Sequence, residues 1–366
     1  MTIRRSWRSF DWLLLGAVLL LSIFGIAMIS SAVKGDPELV SYPQRQIWYL
    51  LAGLVAMFLL SAFDYHVLGT LTIPIYLIAI VLLVLVGLVG QRIFGARSWI
   101  EVFGLFPIQP SELAKVALAL TLGKYLADHN ESMNRLPTVL VALVIAAPLL
   151  VFVFLEPDLG TAVVLAVEVG FILVAAGLRA RHLALVVVAL AAVTPMFWSL
   201  LQDHQRTRLL IFLDPTSDPD SYFNVRQALV SVGSGGLLGK GFGEGTQSQL
   251  HFLRVRHTDF IFSVVAEELG FIGAVLLILL LFFIIMRLWR IAGQSRDTFG
   301  RLLVTAVAGV ILFQTVINVG MNMALVPVTG LPLPFVSYGG NAMLSLFLFI
   351  GLAQSVAMRK KKADYS

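Results

Sequence analysis

Arg254–Phe262 reads RVRHTDFIF: two arginines, a histidine and an aspartate run straight into a long apolar segment. Charge at such a border is costly unless it is paired or employed. Asp259 admits two readings. With Thr258 as N-cap it would sit in the first turn of a helix, where the dipole favours a carboxylate by ~0.3–1 kcal/mol. Alternatively it is a general base, or the organiser of an anion site, with Arg254, Arg256 and His257 gathered round it. Other ionisable residues interrupt apolar stretches. In PSELAK, Glu112 and Lys115 lie at i,i+3 on one helix face, either as a self-neutralising pair or as the wall of a polar cavity. In EPDLGT, Asp158 either caps the helix that follows or faces an external cavity together with Glu156. Glu168, Glu267 and Glu268 lie within apolar runs and are expected to meet basic partners inside the bundle.

These residues need elements to position them, and the composition says which kind. Of 366 residues, 58% are hydrophobic and 13% charged, with a mean hydropathy of +0.91. A soluble domain carries about 25% charged residues. The chain therefore reads as an all-α membrane protein, a single polytopic domain over residues 1–366. The N-terminal MTIRRSWRSFDW has the basic character of a signal peptide, but the apolar run behind it is too long, so an uncleaved first helix is expected. Ten spans are expected, at about 12–33, 46–62, 68–89, 110–127, 137–155, 159–177, 182–201, 259–286, 302–323 and 340–358. Basic residues in both terminal tails, at Arg179 and Arg181, and at Arg287, Arg290, Arg296 and Arg301 put both termini in the cytoplasm. Two long loops, about 90–109 and 202–258, then lie outside, the larger between helices 7 and 8. The segment ALVPVTGLPLPFVSYGG holds three prolines and three glycines and cannot be a regular helix, so it is either an ordinary external loop or backbone lining a wet cavity.

Several classes are excluded or disfavoured. Without cysteine there are no disulfides or thiolate metal sites. The glycines of GSGGLLGKGFGEG could offer backbone N–H groups to phosphate, but Lys240 is not followed by the Ser or Thr of a P-loop. No HExxH-type metal motif or organic cofactor signature is present, and the basic residues form no nucleic-acid stripe.

The motifs ARSWIEVFGLFPIQPSELAK, EPDLGTA, RTRLLIFLDP, GSGGLLGKG, GTQSQLHFL, RHTDFIFSVVAEELG and LPLPFVSYGG occur in that order. Together they resemble the SEDS family of bacterial cell-wall polymerases, from the first span to the last. GTQSQL and AEELG resemble its elongation branch, RodA, more than its division branch. The resemblance implies ten spans with cytoplasmic ends in the bacterial inner membrane. It also implies a peptidoglycan glycosyltransferase that polymerises lipid II on the extracytoplasmic side. The family's essential aspartate falls on Asp259 and its tryptophan on Trp99, with Arg97 two residues before. Its buried Glu–Lys pair falls on Glu112 and Lys115, and its EPDLG acid on Asp158. A class B penicillin-binding protein and the elongation machinery are the implied partners. Two departures stand out: Arg254 and Arg256 replace a common Pro-Glu pair, and Asn341 stands where Ser often follows YGG.

An α-linked lipid diphosphate donor and a β-1,4 product require inversion, hence a base and stabilisation of the leaving group. Asp259 would be the base. Arg206, Arg208, Lys240, Arg254 and Arg256 are the candidates for the diphosphate, and a divalent cation, Mg or Mn, could share that task. The competing expectations are a flippase for lipid-linked precursors and a scaffold without chemistry.

Overall fold

In a computed structural model, the apolar runs become helices where the expected caps and breakers stand. The structure describes residues 7–93, 96–102, 106–133, 135–182, 184–185, 188, 198–199, 201–250 and 252–360. The expected span at 182–201 lies largely outside these residues. Asp11 opens α1 (Trp12–Ala32), accepting from the Leu14 amide at 2.9 Å. The same carboxylate takes two bonds from Arg287, at 3.2 and 2.5 Å, which ties the start of α1 to the far end of a later helix. After α2 (Tyr42–Ala62), the single span expected at 68–89 is divided. A short α3 (Tyr65–Thr70), capped by Asp64, stops at Leu71, and α4 (Thr72–Val89) then runs alone.

The segment 90–109, expected as a loop in an all-α chain, forms an antiparallel sheet of β1 (Gln91–Ile93), β2 (Ala96–Val102) and β3 (Phe106–Ile108). Gln91 pairs with Trp99 and Ile100 with Ile108 across the two ladders. The β-branched and aromatic residues of RSWIEV suit a pleated surface, and that preference outweighs the helical surroundings. The chain is therefore mostly helical rather than all-α.

Next come α5 (Pro110–Asp128), with proline at its first turn, α6 (Leu136–Leu155) and α7 (Leu159–Ala175), capped by Asp158. Residues 202–258 hold α8 (Asp203–Leu213), α9 (Pro219–Ser234) and α10 (Thr246–Gln249), as expected of an ordered segment. Then follow α11 (Ile261–Gly293), α12 (Thr298–Asn322) and α13 (Gly340–Met358). Residues 323–339 form no helix, in line with their prolines.

Among the described residues, α1, α2, α4, α6, α11, α12 and α13 are long and apolar enough to cross a membrane, so the chain is a multi-pass membrane protein. The charged α5 and the 17-residue α7 fall short of that measure. Both pack in the interior, where α5, α7 and α12 lie against one another and α13 lies along α2.

One irregularity organises the later half. At Gly270, φ 66° and ψ −167° break α11 within its own length. The glycine-rich segment 233–245 wedges into the break. Lys240 N–H donates to Glu267 O and Gly241 N–H to Glu268 O, each at 3.0 Å, while Phe271 N–H donates to Gly236 O at 2.8 Å. A Cβ at Gly239, where φ is +81°, would stand 2.1 Å from Glu268 O. These amides, considered above for phosphate, are spent on the protein's own broken helix.

Candidate active site

Asp259 lies just before α11, and the structure removes its capping role. Phe260 holds the N-cap position and no side chain caps that end. The Asp259 backbone is pinned from α12 instead: Asn318 Nδ2 and Asn322 Nδ2 both donate to its carbonyl, at 3.0 and 2.9 Å. Asn322 Oδ1 in turn accepts from Ser263 N at 3.1 Å and Ser263 Oγ at 2.6 Å. Gln314, Asn318 and Asn322 recur every fourth residue, forming one polar stripe on an apolar helix. That spacing was the available signal, and the sequence reading missed it.

The Asp259 side chain is partly buried and faces Arg208 of α8. A Cβ built at Gly330 would sit 3.6 Å from Arg208 Nη1 and 3.8 Å from Asp259 Oδ2. The two opposite charges thus flank one point of the Pro-rich segment, and glycine there leaves the space between them open. Burial pushes the Asp259 carboxyl above the usual carboxylate range, while Arg208 and Thr258 pull it back down.

The same segment connects to the EPDLG turn. A Cβ at Gly160 would stand 2.7 Å from Thr329 O, and Gln205 of α8 donates to Pro157 O at 3.1 Å. Asp158 caps α7 through Thr161 N at 3.0 Å. It also accepts from Gln109 Nε2 at 3.2 Å and Ser111 Oγ at 3.4 Å, which joins it to the start of α5. One turn along α5, Lys115 Nζ meets Glu112 Oε2 at 2.8 Å, with both side chains almost wholly buried. Ser345 of α13 donates to the same glutamate oxygen. The Asp158–Glu112–Lys115 group and the Arg208–Asp259 pair are thus joined through the backbone of the EPDLG turn and the Pro-rich segment.

Trp99 is half-buried on β2; next to it, Ser98 Oγ donates to Glu156 O at 3.2 Å, which fastens the sheet to the EPDLG turn. Arg97 lies on β2 opposite Arg92, and its side chain is outside the described residues. Asn341 Nδ2 donates to Pro107 O at 2.7 Å, so this departure from the family pattern ties the start of α13 to β3.

The remaining basic candidates are placed elsewhere. Lys240 Nζ contacts Glu267 Oε1 at 2.8 Å and Thr246 Oγ1 at 2.7 Å. Arg256, 2% exposed, clamps the end of α1 through Ala32 O and through Asp36 at 3.1 Å. Arg206 donates to the Trp198 and Ser199 carbonyls at 3.1 and 2.8 Å. Arg254 is exposed. Of the acids expected to find basic partners, Glu267 does so in Lys240. Glu268 instead accepts from Ser31 Oγ at 2.6 Å, and Glu168 has no hydrogen-bond partner among the described residues. His257 is held neutral: burial, then Arg256, pull its pKa down to about 4.

Glu156 is 3% exposed, and neither carboxyl oxygen has a hydrogen-bond partner among the described residues. Burial, then the Asp158 charge, push its pKa up to about 9. The folded protein therefore keeps a proton that the unfolded chain releases near pH 4.5. Stability associated with this group is full below that value and is lost as pH rises towards 9. Glu156→Gln removes the titration. Its unfolding midpoint relative to wild type is expected to climb steadily from pH 5 to pH 9, and a constant offset would contradict the protonated state.

Among the described residues, no group of three or more His, Asp or Glu is placed to hold a metal ion.

Comparison with known proteins bears on the family and the fold. The family described as "Cell cycle protein", comprising FtsW, RodA and SpoVE, matches residues 8–362. The peptidoglycan glycosyltransferase MrdB of Escherichia coli is 37% identical over 352 residues, covering 95% of this chain and 94% of its own length. A chain from a structure described as showing "structural coordination of polymerization and crosslinking by a peptidoglycan synthase complex" superposes with a TM-score of 0.82 at 35% identity, covering 95% of this chain and 97% of that one. The rod-shape-determining protein RodA of Thermus thermophilus gives a TM-score of 0.73 at 32% identity, covering 97% and 99%. With its motifs, its fold and nearly its whole length matched, this chain belongs to the FtsW/RodA/SpoVE family.

Proposed function

We propose that the protein is a peptidoglycan glycosyltransferase that polymerises lipid II into β-1,4 glycan strands during cell elongation. The observation that carries this reading is the Asp259 carboxylate facing Arg208 across the open backbone at Gly330. The names of its relatives, peptidoglycan glycosyltransferase MrdB and probable peptidoglycan glycosyltransferase FtsW, support it. Asp259 takes the proton of the acceptor sugar's 4-hydroxyl. That oxygen attacks C1 of the donor as the C1–O bond to the lipid diphosphate breaks, and the configuration inverts. The leaving diphosphate departs with both bonding electrons, and Arg208, across Gly330 from Asp259, meets its charge. Arg254, exposed next to the RHTD motif, is a second candidate.

In this reading the chain spans the bacterial inner membrane ten times with both termini in the cytoplasm. The Asp259 region then opens on the extracytoplasmic side, where a lipid-linked saccharide is presented. A class B penicillin-binding protein would cross-link the strands. The synthase complex that superposes on this chain supports such a partner, since its description couples polymerisation with crosslinking. The test is direct: lipid II is incubated with the purified protein in vesicles. Glycan strands are the expected product. Leaflet exchange without strands would establish the flippase reading, and neither would leave a scaffold.

A further inference from the structure

Next to Asp259 the chain builds an aromatic surface that the mechanism above does not use. Tyr42 of α2 and Tyr338 stack with ring centroids 4.1 Å apart and planes 14° from parallel. Tyr49, about two turns further along the same face of α2, lies 6.3 Å from Tyr338, and its ring covers the backbone of Gly340, where an added Cβ would stand 2.7 Å from Tyr49 Cζ. All three rings are partly exposed, and Arg45, on the same helix, is exposed and acts electrostatically on Tyr338.

Position and chemistry both bear on its use. Tyr338 N–H donates to His257 O at 2.9 Å, and Ser337 Oγ donates to Thr258 O at 2.7 Å. The SYGG segment thus runs directly beside the residues leading into Asp259. Its backbone is already secured without the rings: Gln46 Nε2 donates to Ser337 O and Gly339 N–H donates to Gln46 Oε1, each at 3.2 Å. The rings also pack on the core, with Tyr42 and Tyr338 edge-on to His257 at 5.1 and 5.9 Å, and each still keeps part of its surface exposed. An aromatic face carries negative potential, which attracts the polarised C–H edge of a pyranose ring, and tyrosine hydroxyls can donate to and accept from sugar hydroxyls. Arg45 adds a cation suited to a carboxylate or phosphate on the same molecule.

We propose that this tyrosine stack is a saccharide platform: a ring face turned away from the Tyr42–Tyr338 contact seats a pyranose ring of the lipid-linked substrate beside Asp259, with Tyr49 and Arg45 at its border. The proposal rests on the glycosyltransferase reading and specifies where that enzyme holds sugar rather than diphosphate.

Two readouts on the purified full-length protein test it. In steady-state polymerisation, Tyr338→Leu is expected to raise KM for lipid II roughly tenfold with little change in kcat, and Tyr338→Phe to restore most of the loss, the stacking face being kept. In saturation-transfer NMR, the soluble GlcNAc–MurNAc disaccharide, without lipid or diphosphate, is expected to receive signal from wild type and Tyr338→Phe but not from Tyr338→Leu. Tyr42→Leu provides the same comparison should Tyr338→Leu not fold. A Tyr338→Leu protein with unchanged KM and unchanged transfer overturns the platform, as does a wild-type protein that transfers nothing to the disaccharide. Wild-type protein that transfers to the disaccharide yet makes no strands would overturn the polymerase reading and leave the platform standing.

Discussion

Asp259→Asn is expected to lower the rate of strand formation from lipid II by ~10²–10⁴-fold, the usual contribution of a positioned general base. Asparagine keeps the shape of aspartate but cannot take the hydroxyl proton. The unfolding midpoint should hold near the wild-type value. The Asp259 backbone is fixed by Asn318 and Asn322 rather than by its carboxylate, and its side chain caps no helix. Rate and stability therefore separate the catalytic role from a structural one, and undiminished strand formation by the folded variant would end the assignment. The pH profile carries a second signature. A base acts when deprotonated, so activity rises as pH climbs through its pKa. Burial places that limb above the position of an ordinary carboxylate, and Arg208 partly offsets the rise. Arg208→Met removes the offset, so the acid limb should move to higher pH. A limb that moved down, or stayed in place, would show that the guanidinium does not act on Asp259.

Lys115→Met is expected to destabilise the fold by about 3–5 kcal/mol, because it strands a charge in a site closed to water. Lys115 is 1% exposed and Glu112 5%, so solvent cannot replace the lost partner. Lys115 is also the cation acting on Asp158 and Glu168, so its removal withdraws the positive charge from those two acids as well. The double variant Glu112→Gln/Lys115→Met should recover much of the stability, since exchanging a whole buried pair for neutral groups is often nearly free. Unfolding by denaturant in detergent measures both. Activity need not follow stability. If the double variant folds well and still makes no strands, the pair serves the reaction and not just the bundle. If Lys115→Met unfolds like wild type, the pair matters to neither packing nor charge balance.

The residues that sequence alone exposed were those whose chemistry clashes with an apolar setting. Glu112 and Lys115 stood out because two charges inside a span must meet, and they do. Asp259 stood out for the same reason. Positive residues were harder to sort. Arg208, Arg256 and Lys240 look alike in a loop of mixed charge, yet one faces Asp259 and two are spent on internal partners. That partition depends on contacts between α8, the end of α1 and α11, far apart in sequence. The sheet at 91–108 was hidden because short strands between apolar helices leave little periodic signal. The platform tyrosines were hidden for another reason: Tyr42 and Tyr338 meet only once α2 and the SYGG segment are side by side.

The wedge of residues 233–245 in the break of α11 has a mechanical consequence. A helix left to itself restores its own ladder, and α11 could do so by rotating its first part about its axis until Gly270 returned to helical geometry. That rotation would swing Asp259 around the bundle and away from Arg208. By claiming the carbonyls of Glu267 and Glu268, the glycine segment acts as a detent that sets the angular phase of everything above it. The orientation of the proposed base is thus set at both ends of its helical segment, by Asn318 and Asn322 at one and by the glycine segment at the other.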